Sequence, residues 1–264
     1  MHIDLSGKTA LVTGSTAGIG FAIAKGLAAS GAEVIINGRS QARVDEAIAK
    51  LKAAVPAAKL RGVAGDVAQI EGCNAIVTAL PEVDILVNNA GIFEPKDFFE
   101  IPDEDWSRFF EINVMSGVRM ARAYMQGMLK RNWGRIVFIS SESAVNIPTE
   151  MIHYGTTKTA QLAISRGLAE QTRGTGVTVN TVQPGPTRSE GIVEFIRSTV
   201  SNKDAPEAER EAEFFEKLRP LSLIRRLIEA EEVAAMTAFL ASPLAAVTNG
   251  AAIRVEGGMV PTIA

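Results

Sequence analysis

Short apolar runs alternate with longer helical patterns along the whole chain. The runs are almost entirely apolar, which is typical of strands buried on both faces of a parallel sheet. Parallel strands need crossover connections, usually helices, so the pattern predicts an α/β fold: a doubly wound parallel sheet with helices on both faces. The candidate strands are residues 9–13, 33–37, 60–64, 85–88, 135–140, 178–183 and 252–255.

Length and charge narrow the class of protein further. A chain of 264 residues without repeats or linkers predicts a single domain over residues 1–264. The net charge is −3, and no run of Lys or Arg suggests a nucleic-acid partner. Cys73 is the only cysteine, so no internal disulfide forms, which fits a reducing compartment.

The sequence also bears on localisation and metals. Its start lacks the pattern of a signal peptide, and no apolar run is long enough to span a membrane, so we expect a cytoplasmic protein without membrane contact. His2 and His153 are too few and too far apart in sequence for a zinc site, and no metal is predicted. His153 is interpreted as a solvent-facing loop residue.

The first strand runs directly into a glycine-rich turn and then a helix. Gly14, Gly18 and Gly20 let the backbone bend sharply, approach a ligand and pack the new helix on the sheet. The start of that helix offers free N–H groups and the positive end of a dipole to a pyrophosphate. The turn therefore predicts a dinucleotide site.

Two residues at later strand ends concern the cofactor. Arg39 follows the second strand, where an acidic residue would bind the ribose of NAD and an arginine would bind the 2′-phosphate of NADP. The sequence therefore favours NADP(H) over NAD(H), although Arg39 could instead cap a surface turn. Asp66 follows the third strand and either meets the adenine amine or caps a helix.

Tyr154 and Lys158 stand four residues apart, and in a helix they would share one face. An ammonium about 4 Å from a phenol, at a dielectric of about 20, favours the phenolate by about 4 kcal/mol, or about three pKa units. We therefore expect Lys158 to lower the pKa of Tyr154 and make it a general acid or base near neutral pH. The alternative is an exposed tyrosine stacked on a lysine stem.

Other polar residues lie at the expected sheet edge. Asn88 and Asn89 end the fourth strand, where their side chains can bind neighbouring backbone. Asn113 lies inside an apolar helix predicted over residues 103–131, so it is either structural or holds a water. Ser141 follows the fifth strand, thirteen residues before Tyr154.

In order and spacing, these motifs resemble the short-chain dehydrogenase/reductase family across essentially the whole chain, and the chain is similar to 3-oxoacyl-carrier-protein reductases. The resemblance implies a seven-stranded Rossmann sheet ordered 3-2-1-4-5-6-7 and a homo-oligomer, either a tetramer or a dimer. The implied catalytic set is Asn113, Ser141, Tyr154 and Lys158. The implied cofactor contacts are Gly14, Ser15, Thr16, Gly18, Ile19, Gly20, Arg39, Asp66, Val67, Asn89, Ala90, Gly91, Tyr154, Lys158, Pro184, Gly185 and Thr187.

The resemblance also implies a role for each catalytic residue. Tyr154 would exchange a proton with the substrate oxygen, and Ser141 would orient that oxygen. Lys158 would lower the pKa of Tyr154 and contact the nicotinamide ribose, while Asn113 would hold a water that links Lys158 to solvent. One feature is unusual for a relative that prefers NADP, because such relatives often carry a basic residue at the position of Ala17.

The predicted function is an NADP(H)-dependent oxidoreductase that transfers a hydride between nicotinamide and a carbonyl or secondary alcohol. The preferred substrate is a 3-oxoacyl chain or another moderately apolar ketone. One alternative is an NAD-dependent polyol or sugar-acid dehydrogenase. A further alternative is a non-catalytic NAD(P)-binding sensor or scaffold.

Residues 187–220 form a long connection and predict a substrate lid with short helices over 190–200 and 206–218. Its apolar underside would consist of Ile192, Phe195, Ile196, Phe214 and Phe215. Phe93, Ile147 and His153 are assigned to the same cavity. The alternative is that the lid residues pack in an oligomer contact.

Overall fold

A computed structural model describes residues 2–263 of the chain, and Met1 and Ala264, the ends of the predicted domain, lie outside the described residues. Its sheet has seven strands, all neighbours pair in parallel, and the order is 3-2-1-4-5-6-7. The strands are β1 (Thr9–Val12), β2 (Glu33–Gly38), β3 (Lys59–Ala64), β4 (Ile85–Asn88), β5 (Gly134–Ile139), β6 (Val177–Pro184) and β7 (Ala252–Val255). The predicted fold class and strand order are confirmed.

Helices surround the sheet. They are α1 (Gly18–Ala29), α2 (Gln41–Ala54), α3 (Ile70–Ala79), α4 (Asp103–Phe110), α5 (Ser116–Lys130), α6 (Ile152–Glu170), α7 (Glu190–Thr199), α8 (Glu207–Lys217) and α9 (Ala230–Ala241). Single 3-10 turns lie at Phe98–Glu100, Glu142–Ala144, Thr149–Met151 and Pro243–Ala245. Between residues 2 and 263, none of the helices has the length and apolar character needed to cross a membrane.

The apolar runs are explained by a core on each face of the sheet. In β2, Val34 and Ile36 belong to one buried cluster together with Leu27 of α1. Ile35, between them, belongs to the opposite cluster together with Ile76 of α3. Successive side chains of a strand point to opposite faces, so a strand buried on both sides must be apolar at every position.

The helix predicted over residues 103–131 is divided by a π-helical turn. The turn spans Glu111–Met115 and places Asn113 between α4 and α5. This break is not visible in the sequence, because no glycine or proline marks it. Such single turns insert one extra residue into a helix and are frequent at functional sites.

The two helices predicted in the 187–220 connection are present as α7 and α8. They enclose a small hydrophobic cluster of their own, to which Phe195 and Phe214 contribute. Arg188, at the start of this connection, pairs with Glu207, Glu211 and Glu229 at 2.6, 2.9 and 3.0 Å. These pairs join the start of the segment to α8 and to the residue before α9.

Candidate active site

A cleft of about 750 Å³ runs along the carboxyl ends of the strands. Most of the predicted cofactor contacts line it: Gly14, Thr16, Gly18, Ile19, Gly20, Arg39, Asp66, Val67, Asn89, Ala90, Gly91, Tyr154 and Lys158. Pro184, Gly185 and Thr187 instead line a smaller neighbouring cavity, and Ser15 lines neither. The parallel topology brings these residues together, because every strand ends at the same edge.

The glycine turn has the backbone that the sequence predicts. Gly14 and Gly18 have φ angles of 62° and 55°, in the left-handed region that favours glycine. A Cβ at Gly20 would lie 2.4 Å from Nδ2 of Asn89, so only glycine lets α1 begin this close to the end of β4. The Asn89 amide donates to the carbonyls of Thr13 and Gly14 at 3.0 and 3.1 Å and so fixes the turn.

Two predictions about polar residues in this region are corrected. The Ser15 hydroxyl donates to the Val12 carbonyl at 2.7 Å and accepts from the backbone N–H of Asn37 at 2.9 Å. Its side chain therefore stabilises the turn and does not face the cleft. Asn88 is buried, and its side-chain amide has no hydrogen-bond partner among residues 2–263, so only Asn89 binds the backbone as predicted.

Sequence reasoning missed Asn37, which connects three strand ends. Its Oδ1 accepts from the N–H of Gly14 at 3.2 Å, and its Nδ2 donates to the carbonyls of Val63 and Gly65, both at 3.1 Å. The signal was a buried-type strand that ends in a polar residue. Asn37 thereby holds the ends of β1, β2 and β3 in register at the cleft.

Asp66 and the arginines lie at the far end of the same cleft. Oδ1 of Asp66 accepts from the N–H of Ala68 at 3.0 Å, and α3 begins later, with Gln69 as its N-cap, so the interpretation of Asp66 as a helix cap is wrong. Arg39 is exposed on the cleft, and Arg43 in the first turn of α2 lines it too. The sequence predicts only Arg39 as a contact for the ribose phosphate.

The start of α1 can accept a phosphate. Ala17, its N-cap, provides no side-chain hydrogen bond, and the first turn contains no acidic residue. The terminal N–H groups and the positive dipole end are therefore available at the cleft floor. With Arg39 and Arg43 at the other end, these groups fit a dinucleotide phosphate chain and a ribose phosphate.

Tyr154 lies where the large cleft meets the smaller cavity, which has a volume of about 130 Å³. Lys158 lines only the cleft, and Ser141 lines only the smaller cavity. Both Tyr154 and Lys158 belong to α6, and the Lys158 ammonium lies 5.6 Å from the centre of the Tyr154 ring. The phenol thus stands between a space for a cofactor and a space for a substrate.

The direction of the Tyr154 pKa shift is opposite to the sequence prediction. Burial raises the pKa of Tyr154, and the nearby Glu142 carboxylate raises it further, while a hydrogen bond with Ser141 opposes both. The Lys158 ammonium donates to the carbonyl of Ile139 at 3.0 Å. Burial lowers the pKa of Lys158 to about 8, although Glu142 opposes this. The phenol therefore keeps its proton at neutral pH.

The side chain of Asn113 joins the segment after β4 to α6. Its Oδ1 accepts from the N–H of Ile92 at 2.8 Å, and its Nδ2 donates to the Ile92 carbonyl and to Oγ1 of Thr157, both at 3.0 Å. These bonds use both N–H donors of the amide and one of the two acceptor sites of its oxygen, which agrees with the structural interpretation of Asn113. Its backbone carbonyl, in the π turn, accepts from Nε2 of Gln161 at 2.5 Å.

Gln161 was also missed, although it lies one turn after Lys158 on α6. Its Oε1 accepts from the Lys158 ammonium at 3.4 Å, while its Nε2 binds Asn113. A glutamine side chain therefore joins Asn113 to Lys158, and the water that Asn113 is predicted to hold stays a prediction. Nothing in the sequence pattern distinguishes this residue from a polar residue on the surface of a helix.

Replacing Gln161 by Leu is expected to lower the free energy of unfolding by about 1–3 kcal/mol, because the buried Asn113 carbonyl loses its donor. Chemical denaturation measures this change. Gln41→Leu is the control, because Gln41 is exposed and, among residues 2–263, bonds only to Asp45, so its effect should stay within about 0.5 kcal/mol. Equal stability of the two variants would contradict the role given to Gln161.

Only some of the residues predicted for the apolar underside of the lid line the smaller cavity. Ile192, Phe195 and Phe214 line it, whereas Ile196 and Phe215 do not and belong to the cluster between α7 and α8. The difference arises because two short helices need an apolar contact with each other before they can cover a cavity.

Of the three further residues assigned to this cavity, only Phe93 lines it. Ile147 does not, and neither does His153. The interpretation of His153 as a solvent-facing loop residue is also wrong, because it is buried in α6 with its ring centre 4.1 Å from that of Phe109. Burial lowers the pKa of His153, so the ring is neutral at pH 7.

The parallel sheet, the glycine turn and the Ser, Tyr and Lys side chains together define a dinucleotide-binding oxidoreductase of the α/β class. Comparison with known proteins agrees, since the family model described as short chain dehydrogenase matches residues 8–199. The chain belongs to the short-chain dehydrogenase/reductase family.

Individual relatives cover the whole chain. It is 52% identical over 263 residues to an uncharacterized oxidoreductase, YvaG, of Bacillus subtilis (strain 168), with 100% of both chains covered. It is 35% identical to the 3-oxoacyl-[acyl-carrier-protein] reductase FabG of Aquifex aeolicus (strain VF5), covering 98% of this chain and 100% of that one. The solved L-sorbose reductase of Gluconobacter frateurii, complexed with NADPH and L-sorbose, superposes with a TM-score of 0.92 at 32% identity, covering 100% of both chains.

Proposed function

We propose that the protein is an NADP(H)-dependent oxidoreductase that interconverts a carbonyl and a secondary alcohol, with Tyr154 as the group that exchanges the proton. The observation that carries the proposal is the position of Tyr154, which borders both the large cleft and the smaller cavity. Only a residue at this junction can touch a cofactor on one side and a substrate on the other. Consumption of NADPH with a panel of ketones and aldehydes tests the proposal.

The proton chemistry follows from the local environment. In the reducing direction, the cofactor supplies a hydride to the carbonyl carbon. Tyr154, whose pKa is raised, is protonated at neutral pH and gives its proton to the carbonyl oxygen. Ser141, whose carbonyl accepts from Gln183 at 3.4 Å, lines the same cavity. Its hydroxyl donates to Glu142 in the free protein and orients the substrate oxygen once its O–H turns from Glu142 to that oxygen. Lys158 contributes positive charge beside the phenol and faces the cleft, where a ribose would lie.

The preference for NADP(H) rests on two arginines. Arg39 and Arg43 both line the cleft beyond β2, and the two guanidinium groups offer the paired donors that a ribose phosphate accepts. Gly38, before Arg39, leaves room for Thr16, since a Cβ there would lie 2.6 Å from its Cγ2. The binding of NADPH by the related L-sorbose reductase supports the same choice. An NAD-dependent enzyme is the alternative.

The smaller cavity, where the substrate would bind, is lined by both apolar and polar side chains. Ile192, Phe195 and Phe214 support a substrate with an apolar part, as in a 3-oxoacyl chain or another moderately apolar ketone. Glu142 and Arg219 line the same cavity and favour a second candidate, a hydroxylated substrate such as a polyol. In the same proposal, residues 1–264 act as one domain, the segment over 187–220 acts as the lid, and the protein assembles as a homo-oligomer.

A pH dependence follows from the shifted pKa of Lys158. Its ammonium is present below pH about 8 and is lost above it, so kcat/KM for NADPH should be highest below pH 8 and fall as the pH rises through that value. Initial rates between pH 6 and pH 10 measure the profile. In Lys158→Arg the residual activity should not fall near pH 8, because arginine keeps its proton. A wild-type profile that stays flat to about pH 10, where free lysine titrates, would contradict the assignment.

A further inference from the structure

The smaller cavity is lined by more polar side chains than a site for a simple ketone requires. Glu142 and Arg219 line it, and their exposed fractions are only 5% and 9%. Phe195 and Phe214 form the adjacent wall. Burying a carboxylate or a guanidinium costs free energy unless each finds partners, so these two side chains need an explanation beyond the apolar cavity.

Glu142 accepts hydrogen bonds but retains free acceptor capacity. One carboxylate oxygen accepts from the Ser141 hydroxyl, and the other accepts from the Ser143 hydroxyl at 3.1 Å. The backbone N–H of Ser143 also bonds to this carboxylate, and a carboxylate has about four lone-pair sites, so about one is left. Because Glu142 is bonded to Ser141, this acceptor lies on the side of the cavity where the proposed function puts the reacting oxygen.

Arg219 supplies the complementary donors. Its Nη1 donates to the Leu218 carbonyl at 2.7 Å, its Nη2 donates to Glu150 at 3.0 Å, and its guanidinium lies 5.5 Å from the centre of the Phe214 ring. A guanidinium has five N–H groups, so three remain. Arg219 lines the same cavity as Glu142, and its charge opposes the rise in the pKa of Glu142 that burial causes.

We propose that Glu142 and Arg219 form a subsite for a hydroxyl group on the carbon next to the reacting carbon, so that the substrate is a hydroxylated ketone or the corresponding polyol. A hydroxyl donates to the carboxylate and accepts from the guanidinium at once, which a plain alkyl chain does not. This inference rests on the proposed function, because it takes the reacting oxygen to lie at Ser141 and Tyr154.

The charges distinguish a hydroxyl from a carboxylate at this position. Arg219 already faces two acidic side chains, Glu150 through a direct bond and Glu142 across the cavity. A substrate carboxylate would add a negative charge to a cavity that the buried Glu142 already lines, and like charges repel strongly in a region of low dielectric. A neutral hydroxyl group avoids that cost.

Three ketones with the same carbon count provide the test: acetone, hydroxyacetone and pyruvate, each assayed with NADPH. Hydroxyacetone should exceed acetone in kcat/KM by at least about 100-fold, since a site built for a hydroxyl rejects the analogue that lacks it. Pyruvate should be reduced no better than acetone. Glu142→Gln replaces one acceptor oxygen by a donor and should reduce the ratio of hydroxyacetone to acetone by about tenfold, the loss of one hydrogen bond.

Any effect of the variant on Ser141 lowers kcat/KM for hydroxyacetone and for acetone alike. The ratio of the two values therefore reports recognition of the hydroxyl group alone. Equal kcat/KM values for acetone and hydroxyacetone, a preference for pyruvate, or an unchanged ratio in Glu142→Gln would each overturn the subsite. Calorimetric titration of the Tyr154→Phe variant with the same three compounds in the presence of NADP reads the preference without turnover. Tighter binding of hydroxyacetone there supports the subsite even if no ketone oxidises NADPH, a result that would refute only the proposed function.

Discussion

Replacing Tyr154 by Phe is expected to lower kcat for carbonyl reduction by about 10²- to 10⁴-fold, because it removes the phenolic proton donor that borders both cavities. The dissociation constant for NADPH should change by less than about threefold, since the ring stays in place and only the hydroxyl is lost. Steady-state kinetics and a fluorescence titration of NADPH measure the two quantities separately.

The second tyrosine of the chain provides the matched control. Tyr124 is buried on α5 and donates its hydroxyl to the Leu80 carbonyl at 2.9 Å, away from both cavities. Tyr124→Phe loses the same atom and should cost about 1 kcal/mol in stability, with kcat unchanged. If Tyr154→Phe kept turnover within tenfold of the parent protein, the proton-transfer role would be refuted.

Replacing Arg39 and Arg43 together by Ala is expected to weaken NADPH binding by about 10²- to 10⁴-fold. Each charge-assisted hydrogen bond to a phosphate contributes about 1.5–3 kcal/mol, so each single variant should lose about tenfold or more. NADH, which lacks the 2′-phosphate, should bind the parent and the double variant with nearly equal dissociation constants. Calorimetry with both nucleotides measures the change.

Arg173→Ala is a suitable control for these variants, because Arg173 is highly exposed after α6 and, in the part of the chain that the structure describes, pairs only with Glu170. Its NADPH affinity should equal that of the parent. A parent protein that binds NADH more tightly than NADPH, or a double variant whose NADPH affinity is unchanged, would contradict the assignment of these arginines to the ribose phosphate.

The fold could be predicted because its signal lies in many residues at once. Most strands are buried on both faces, so segments such as Ile85–Asn88 are almost entirely apolar and mark the sheet without knowledge of their neighbours. The strand ends then meet at one edge by topology alone, which explains why Gly14, Asn89 and Tyr154 could be assigned to one cleft from their positions in the chain.

Properties that depend on neighbours distant in sequence could not be predicted. The pKa of Tyr154 is raised by burial and by Glu142. The four-residue spacing of Tyr154 and Lys158 carries no information about either of these causes. Gln161 gains its importance only because the π turn presents the Asn113 carbonyl to it. His153 resembles a loop residue in the sequence, because α6 begins at Ile152 without a capping side chain that would mark its start.

The central claim is that the Tyr154 phenol holds a proton beside a bound dinucleotide, and NMR of tyrosine labelled with carbon-13 at the ring carbon bearing the hydroxyl tests it directly. The chain has two tyrosines, and Tyr124→Phe assigns the two signals. In the free protein the Tyr154 signal should titrate above the ordinary pKa of about 10, and Tyr124 should titrate at about 12. Adding NADP in its oxidised form should move only the Tyr154 titration to lower pH, because the positive nicotinamide lies next to the phenol. A Tyr154 signal that titrates below pH 9 in the free protein, or one that NADP does not move, would contradict the account.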